Sequence, residues 1–167
     1  MSASACRIAA TAFTAALAAS VLTPARADLL AHKDLSLDTA VAITTTTAAT
    51  CKAQGYRVSV HVVGRNGEVL VALRGDNASP HTMENSMRKA YTARTFRVPS
   101  GEMVKRLKEN PQLGAVYLTN VIATQGALPI SVGDDVIGAV GVSGAPGGDK
   151  DEVCAKSGID KVADQLK

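Results

Sequence analysis

The sequence predicts an α+β fold, an antiparallel sheet of five strands covered by helices. Three observations predict it. Two stretches, 58–73 and 128–142, each pair two short apolar runs about tight-turn residues, which is the pattern of a β-hairpin. A further apolar segment over 116–124 supplies the fifth strand. Helical periodicity marks one long helix at each end of this set and two helices within it.

At the N-terminus Arg7 precedes an uncharged run of small and apolar residues over 8–22, followed by Pro24-Ala25-Arg26-Ala27. A basic start, an apolar middle and a small-x-small site predict a cleaved export signal over 1–27. The run falls short of the roughly 20 residues that cross a bilayer. No later stretch approaches that length, so no stable span is expected after cleavage. Residues 28–167 are then a single domain of a size that buries a full core.

Cleavage removes Arg7 and Arg26 but no acid, leaving 16 basic against 15 acidic residues. That near-neutral balance argues against a polyanion partner. Aromatic residues make up 3% of the chain and Trp is absent, which removes the stacking platforms of single-strand binders. No nucleic-acid role is expected. Cys6 leaves with the leader, and Cys51 and Cys154 remain. In an oxidising compartment such a pair is either a disulfide or two buried small hydrophobes, and the disulfide is the expectation. No C-x-x-C-H occurs, which excludes the usual covalent haem attachment.

From Leu35 the pattern is helical. Ser36 is placed to cap, and Leu37, Val41, Thr44, Ala48 and Cys51 recur on one face that ends before Gly55. Four consecutive threonines over 44–47 are poor helix formers, so packing must hold this helix. Residues 58–63 and 68–73 flank Gly64-Arg65-Asn66-Gly67, a hairpin with an Asn-Gly turn. His61 lies in the first of these strands and is expected to be satisfied in the core or to face solvent.

Ser79-Pro80 opens the next helix, because proline at the first helical position gives up an amide that has no partner there. His81 therefore stands in a first helical turn, where the positive end of the helix disfavours an imidazolium and leaves a lone pair for a metal. The helix continues past Met83, Met87, Tyr91 and Arg94 to Pro99, and Arg88, Lys89, Arg94 and Arg97 make it basic. Some of these charges are ordinary solvated ones. One or two of them suit the carboxylates of an anionic ligand. A short polar helix follows over 100–109, closed by Asn110-Pro111.

The second hairpin, 128–132 and 136–142, turns on Gly133-Asp134-Asp135. Glycine then recurs at Gly138, Gly141 and Gly144, and Gly147-Gly148-Asp149 opens a last helix bearing Ala155, Ile159, Val162 and Leu166 on one face. Such glycines permit close approach to the backbone, and Gly147 and Gly148 are candidates to hold an anionic group through free amides. The spacing is G-x-x-G, no further strand follows, and a dinucleotide fingerprint is rejected.

The run Leu128-Pro129-Ile130, then Ile137-Gly138-Ala139-Val140-Gly141-Val142-Ser143-Gly144-Ala145 and Asp151-Glu152-Val153-Cys154-Ala155, resembles the GlcG/HbpS-like haem-binding, or haem-degrading, domain family. The blocks at 60–70, 74–82 and 86–96 extend the likeness over most of the chain from about Leu35 onward. One departure stands at Val62-Val63-Gly64, where the family pattern carries an Asp, so no site residue is placed there. The resemblance implies an α-β-α sandwich of profilin/PAS-like form, a homo-oligomer, and haem as cofactor. It implies an exported, periplasmic or secreted haem carrier, scavenger or sensor that holds the iron through His81 and the carboxylates through Arg88, Lys89 and Arg94, with Gly147 and Gly148 beside them. The alternatives are a haem-degrading or other small-molecule enzyme on the same scaffold, and a non-catalytic partner-binding domain. Against a hydrolase, the chain has no nucleophile elbow and no H-E-x-x-H, so catalytic residues are left unassigned.

Overall fold

Four strands, not five, form the sheet of the computed structural model, which describes residues 28–167. The leader expected over 1–27 lies outside the described residues. Ser36 caps α1 (Leu37–Ala53) by accepting the Thr39 amide at 3.2 Å. β1 (Ser59–Val63) and β2 (Val69–Arg74) make the first hairpin, with Gly67 at φ 82° supplying the left-handed turn residue. α2 (His81–Phe96) and α3 (Gly101–Glu109) follow. β3 (Ala127–Val132) and β4 (Asp135–Ser143) make the second hairpin, and α4 (Gly148–Lys161) closes the fold. The strands lie in the order β2-β1-β4-β3, all neighbours antiparallel. His32–Lys167 form one compact unit.

The period-two pleat divides the helices between the two faces. Val60 and Val62 of β1, with Val140 and Val142 of β4, pack among Ile43 of α1 and Ala155 of α4. Val63 and Ala139 pack instead with Ala90 and Ala93 of α2. On that second face His61 pairs in register with Gly141, and Gly141 is the reason α2 lies so close to the sheet. A Cβ there would stand 2.6 Å from the Ala90 amide nitrogen and overlap the Ser86 carbonyl oxygen. The glycines at 138 and 144 are likewise met by the chain itself, at Leu35 and Val63 for the first and Arg57 and Val58 for the second. The close approach that the glycine run permits is therefore made by α2 and neighbouring backbone.

The fifth strand expected over 116–124 is a correction. A 3₁₀ turn spans Gly114–Tyr117, and Asn120 sits at φ 68°, which breaks any extended run. The backbone of this segment is satisfied by α2 rather than by a neighbouring strand. Arg88 donates to the Val121 carbonyl at 2.9 Å, and the Ile122 amide donates to Thr92 Oγ1 at 2.9 Å.

The apolar face assigned to α1 is also shifted. Leu37 and Val41 are exposed, and the buried positions are Ala40, Ile43, Thr44, Thr47 and Cys51. Thr44 takes a buried place because its hydroxyl donates to the Ala40 carbonyl at 2.8 Å. α1 and α4 are neighbours on one face. Gly158 lets them close, since a Cβ there would lie 2.6 Å from the Ile43 carbonyl oxygen. Cys51 and Cys154 meet across that contact as a disulfide, with Cα atoms 5.5 Å apart and both residues fully buried.

Candidate functional site

A cleft of about 990 Å³ opens where the start of α2, the helix α3, the loop before β3 and the β4–α4 junction come together. His81, Asn85 and Lys89 reach it from α2 at i, i+4 and i+8, which places them along one side of the helix. Lys105 and Lys108 contribute from α3, and Arg57 stands beside the start of β1. Thr124 and Gln125 line it from the loop, and Gly147, Gly148, Asp151 and Glu152 from the first turns of α4.

The floor is a buried ion pair. Lys89 Nζ donates to Asp151 Oδ2 at 2.8 Å and to the Val142 carbonyl at 3.0 Å, with side chains 5% and 3% exposed. Asp151 Oδ1 accepts the Ala145 amide at 3.1 Å, so one carboxylate both neutralises Lys89 and ties down the β4–α4 junction. Burial pushes the Asp151 carboxyl upward, against the pull of the Lys89 ammonium and the Ala145 amide. Gly126, at φ 132°, makes room for the pair, because a Cβ there would lie 2.6 Å from Lys89 Nζ.

Of the six residues picked from the sequence, His81, Lys89, Gly147 and Gly148 line this one cleft. His81 is exposed at its edge in the first turn of α2. Gly148 is where the last helix meets the loop, since a Cβ would lie 2.5 Å from the Gln125 carbonyl oxygen. Arg88 lies on the flank of α2, between the Val121 carbonyl and Glu84 Oε1 at 3.4 Å. Arg94 is thirteen residues, between three and four turns, beyond His81, near Arg97 and Arg65. Burial and those two cations lower its pKa, and its Nε has no hydrogen-bond partner.

His61 is buried on the α2 face, where its Nδ1 meets Ser86 Oγ at 2.8 Å. Burial holds its pKa below 6.5, which favours a neutral ring at pH 7. It is a core histidine satisfied by a hydroxyl.

Sequence reasoning did not pick out Arg57, Asn85, Lys105, Lys108, Thr124, Gln125 or Glu152. The i+4 step from His81 to Asn85, and the i, i+3 step from Lys105 to Lys108, are the signals that would have found three of them. Thr124 and Gln125 carry no local signal. They enter through the path of a loop without regular structure. Among the described residues no three His, Cys, Asp or Glu side chains converge as for a bare metal ion.

A family model described as haem degrading protein HbpS-like matches residues 35–160. The chain belongs to the HbpS-like family. A doubly substituted HbpS of Streptomyces reticuli is 34% identical, with a TM-score of 0.76 over 85% of this chain and 97% of that one. An uncharacterised 15.0 kDa protein of the dhaT-dhaS intergenic region of Citrobacter freundii is 33% identical over 102 residues. That match spans 59% of this chain and 71% of the relative. A haem complex of PduOC shares the fold at 21% identity, with a TM-score of 0.69 over 76% of this chain and 94% of that one. The likeness first drawn from the glycine-rich block and the motifs upstream of it thus holds over the whole sandwich. Among the described residues no helix is long and apolar enough to cross a membrane.

Proposed function

We propose that the cleft beside His81 binds haem, and that the protein is an exported haem carrier, scavenger or sensor. The observation that carries this reading is the donor set of the cleft. A lone accessible imidazole suits a metal that brings ligands of its own, and Arg57, Lys105 and Lys108 supply cations for two carboxylates at the edge of a planar molecule. Pro99, Val104 and Pro146 offer apolar wall, and the volume lies at the upper end of small-molecule sites. The residues present therefore fit the group, which if bound would supply a redox-active iron. Lys89 serves beneath it as support, since Asp151 holds its charge. Support also comes from the family description and from PduOC, whose structure is a haem complex.

The test is titration of residues 28–167 with haem. A Soret shift that saturates is expected, with affinity weakened at least tenfold in His81→Ala, about 1.4 kcal/mol or more. His61→Ala should keep the wild-type Soret position. If His81→Ala titrates like the parent and His32→Ala does not, the ligand belongs to the segment before α1. The family description also favours a second reading, turnover in the same cleft. Loss of the haem spectrum on adding a reductant and oxygen would mark it. The export half of the proposal rests on the leader pattern of residues 1–27. Mass spectrometry of exported material should find an N-terminus at Asp28, and intact Met1 in that fraction would refute it.

A further inference from the structure

Two polar atoms in the cleft are buried and have no hydrogen-bond partner, Thr124 Oγ1 and Glu152 Oε1. They belong to one corner. Gln125 follows Thr124 in the chain, its Nε2 donates to Glu152 Oε2 at 2.8 Å, and its carbonyl seats Gly148 in the first turn of α4. Neither nearby lysine turns to Glu152: Lys89 is held by Asp151 at 2.8 Å, and Lys105 meets Glu102 at 2.6 Å in an exposed pair that a ligand carboxylate can replace. Leaving a buried acceptor without a donor is costly, and such atoms are retained where a ligand or a bound water completes them. An ionised glutamate only accepts, whereas a threonine hydroxyl does either. Whatever completes this corner must therefore present at least one N–H or O–H.

We propose that Thr124 and Glu152 form a donor-recognising subsite, and that the ligand class it takes is an open-chain, metal-free tetrapyrrole. The inference rests on the reading that the cleft accepts tetrapyrroles. In haem all four ring nitrogens are bound to iron and the periphery offers no N–H. An open-chain tetrapyrrole keeps the carboxylates that suit Arg57, Lys105 and Lys108. Its pyrrole and lactam nitrogens carry hydrogen, the complement of an unpaired carboxylate oxygen. A site built to accept a hydrogen bond discriminates strongly against an analogue that lacks the donor. The corner therefore distinguishes the open-chain molecule from the closed one in a cleft that holds either.

The experiment measures dissociation constants for haem and biliverdin with the mature wild-type chain, Glu152→Gln and Thr124→Val, by absorbance titration. Wild type should bind both. Glu152→Gln, which replaces an acceptor by an amide able to present N–H, should lower the preference for biliverdin over haem at least tenfold. Thr124→Val should lower it in the same direction, and it provides an independent reading if the first variant folds poorly. If haem binds and biliverdin does not, or if both variants keep the wild-type ratio, the subsite is overturned and the haem cleft stands. If neither molecule binds, the cleft reading falls and this inference falls with it.

Discussion

Lys89→Met is expected to destabilise the fold by about 3–5 kcal/mol at neutral pH, the usual cost of leaving one member of a buried ion pair without its partner. The side chains of Lys89 and Asp151 are 5% and 3% exposed, so solvent does little to screen the loss. Methionine fills much of the volume of the lysine stem, which makes the missing charge the main change. The dependence on pH is distinctive. Burial already raises the Asp151 carboxyl above its ordinary value despite Lys89. A carboxyl that holds its proton more tightly in the fold contributes stability that is fully present below its unfolded pKa, near 4, and is lost as pH rises through the folded pKa. Removing Lys89 raises that folded pKa further. The deficit of the variant should therefore be largest near neutrality and shrink as the pH is lowered toward 4. Urea unfolding of wild type and Lys89→Met across that range checks it. The double variant Lys89→Met/Asp151→Asn should recover much of the loss, because the buried charge is gone and the amide oxygen still accepts from Ala145. A single variant within 1 kcal/mol of wild type, flat with pH, would show that the pair does not hold the β4–α4 junction.

The two hairpins were legible because their turns are written in local chemistry, the Asn66-Gly67 pair and Gly133, and their glycines take positive φ. The caps of α1 and the proline-led start of α2 were legible for the same reason. The fifth strand was misread because residues 116–124 are apolar enough for a strand, while what fixes them is remote. Arg88 and Thr92 hold this segment from a helix about thirty positions earlier, and no pattern within it reports that. The buried face of α1 was placed correctly at Thr44 and Cys51 and misplaced elsewhere, since Thr47, polar by composition, occupies a core position, whereas Leu37 is exposed. The cleft was half legible. His81 and Lys89 lie two turns apart on one side of α2, but Arg94, thirteen residues beyond His81, falls roughly 220° around the helix. The glycine run was correctly singled out as a place of close approach. What approaches is the protein's own backbone, and the cleft begins only where that run gives way to α4.

Reduction of the Cys51–Cys154 bond is expected to cost up to about 4–5 kcal/mol, because it releases a loop whose ends are 103 residues apart in sequence. The loop contains the whole sheet, α2 and α3, so the cross-link restricts most of the unfolded chain. In the folded state little changes. Both cysteines are fully buried at the α1–α4 contact, where thiols pack as small hydrophobes, and Ser157 still meets Thr50 Oγ1 at 2.9 Å beside them. The loss should therefore come mainly from the unfolded side of the equilibrium. Cys51→Ala/Cys154→Ala is expected to show nearly the same loss as reduction, with a modest addition for the two missing sulfur atoms. The comparison is made by urea unfolding of the oxidised chain, the chain in excess dithiothreitol and the double variant, with thiols counted under denaturing, non-reducing conditions. Two free thiols per oxidised chain, or equal unfolding midpoints with and without reductant, would rule the cross-link out as a source of stability. A double variant much weaker than the reduced chain would move its contribution from chain entropy to packing between α1 and α4.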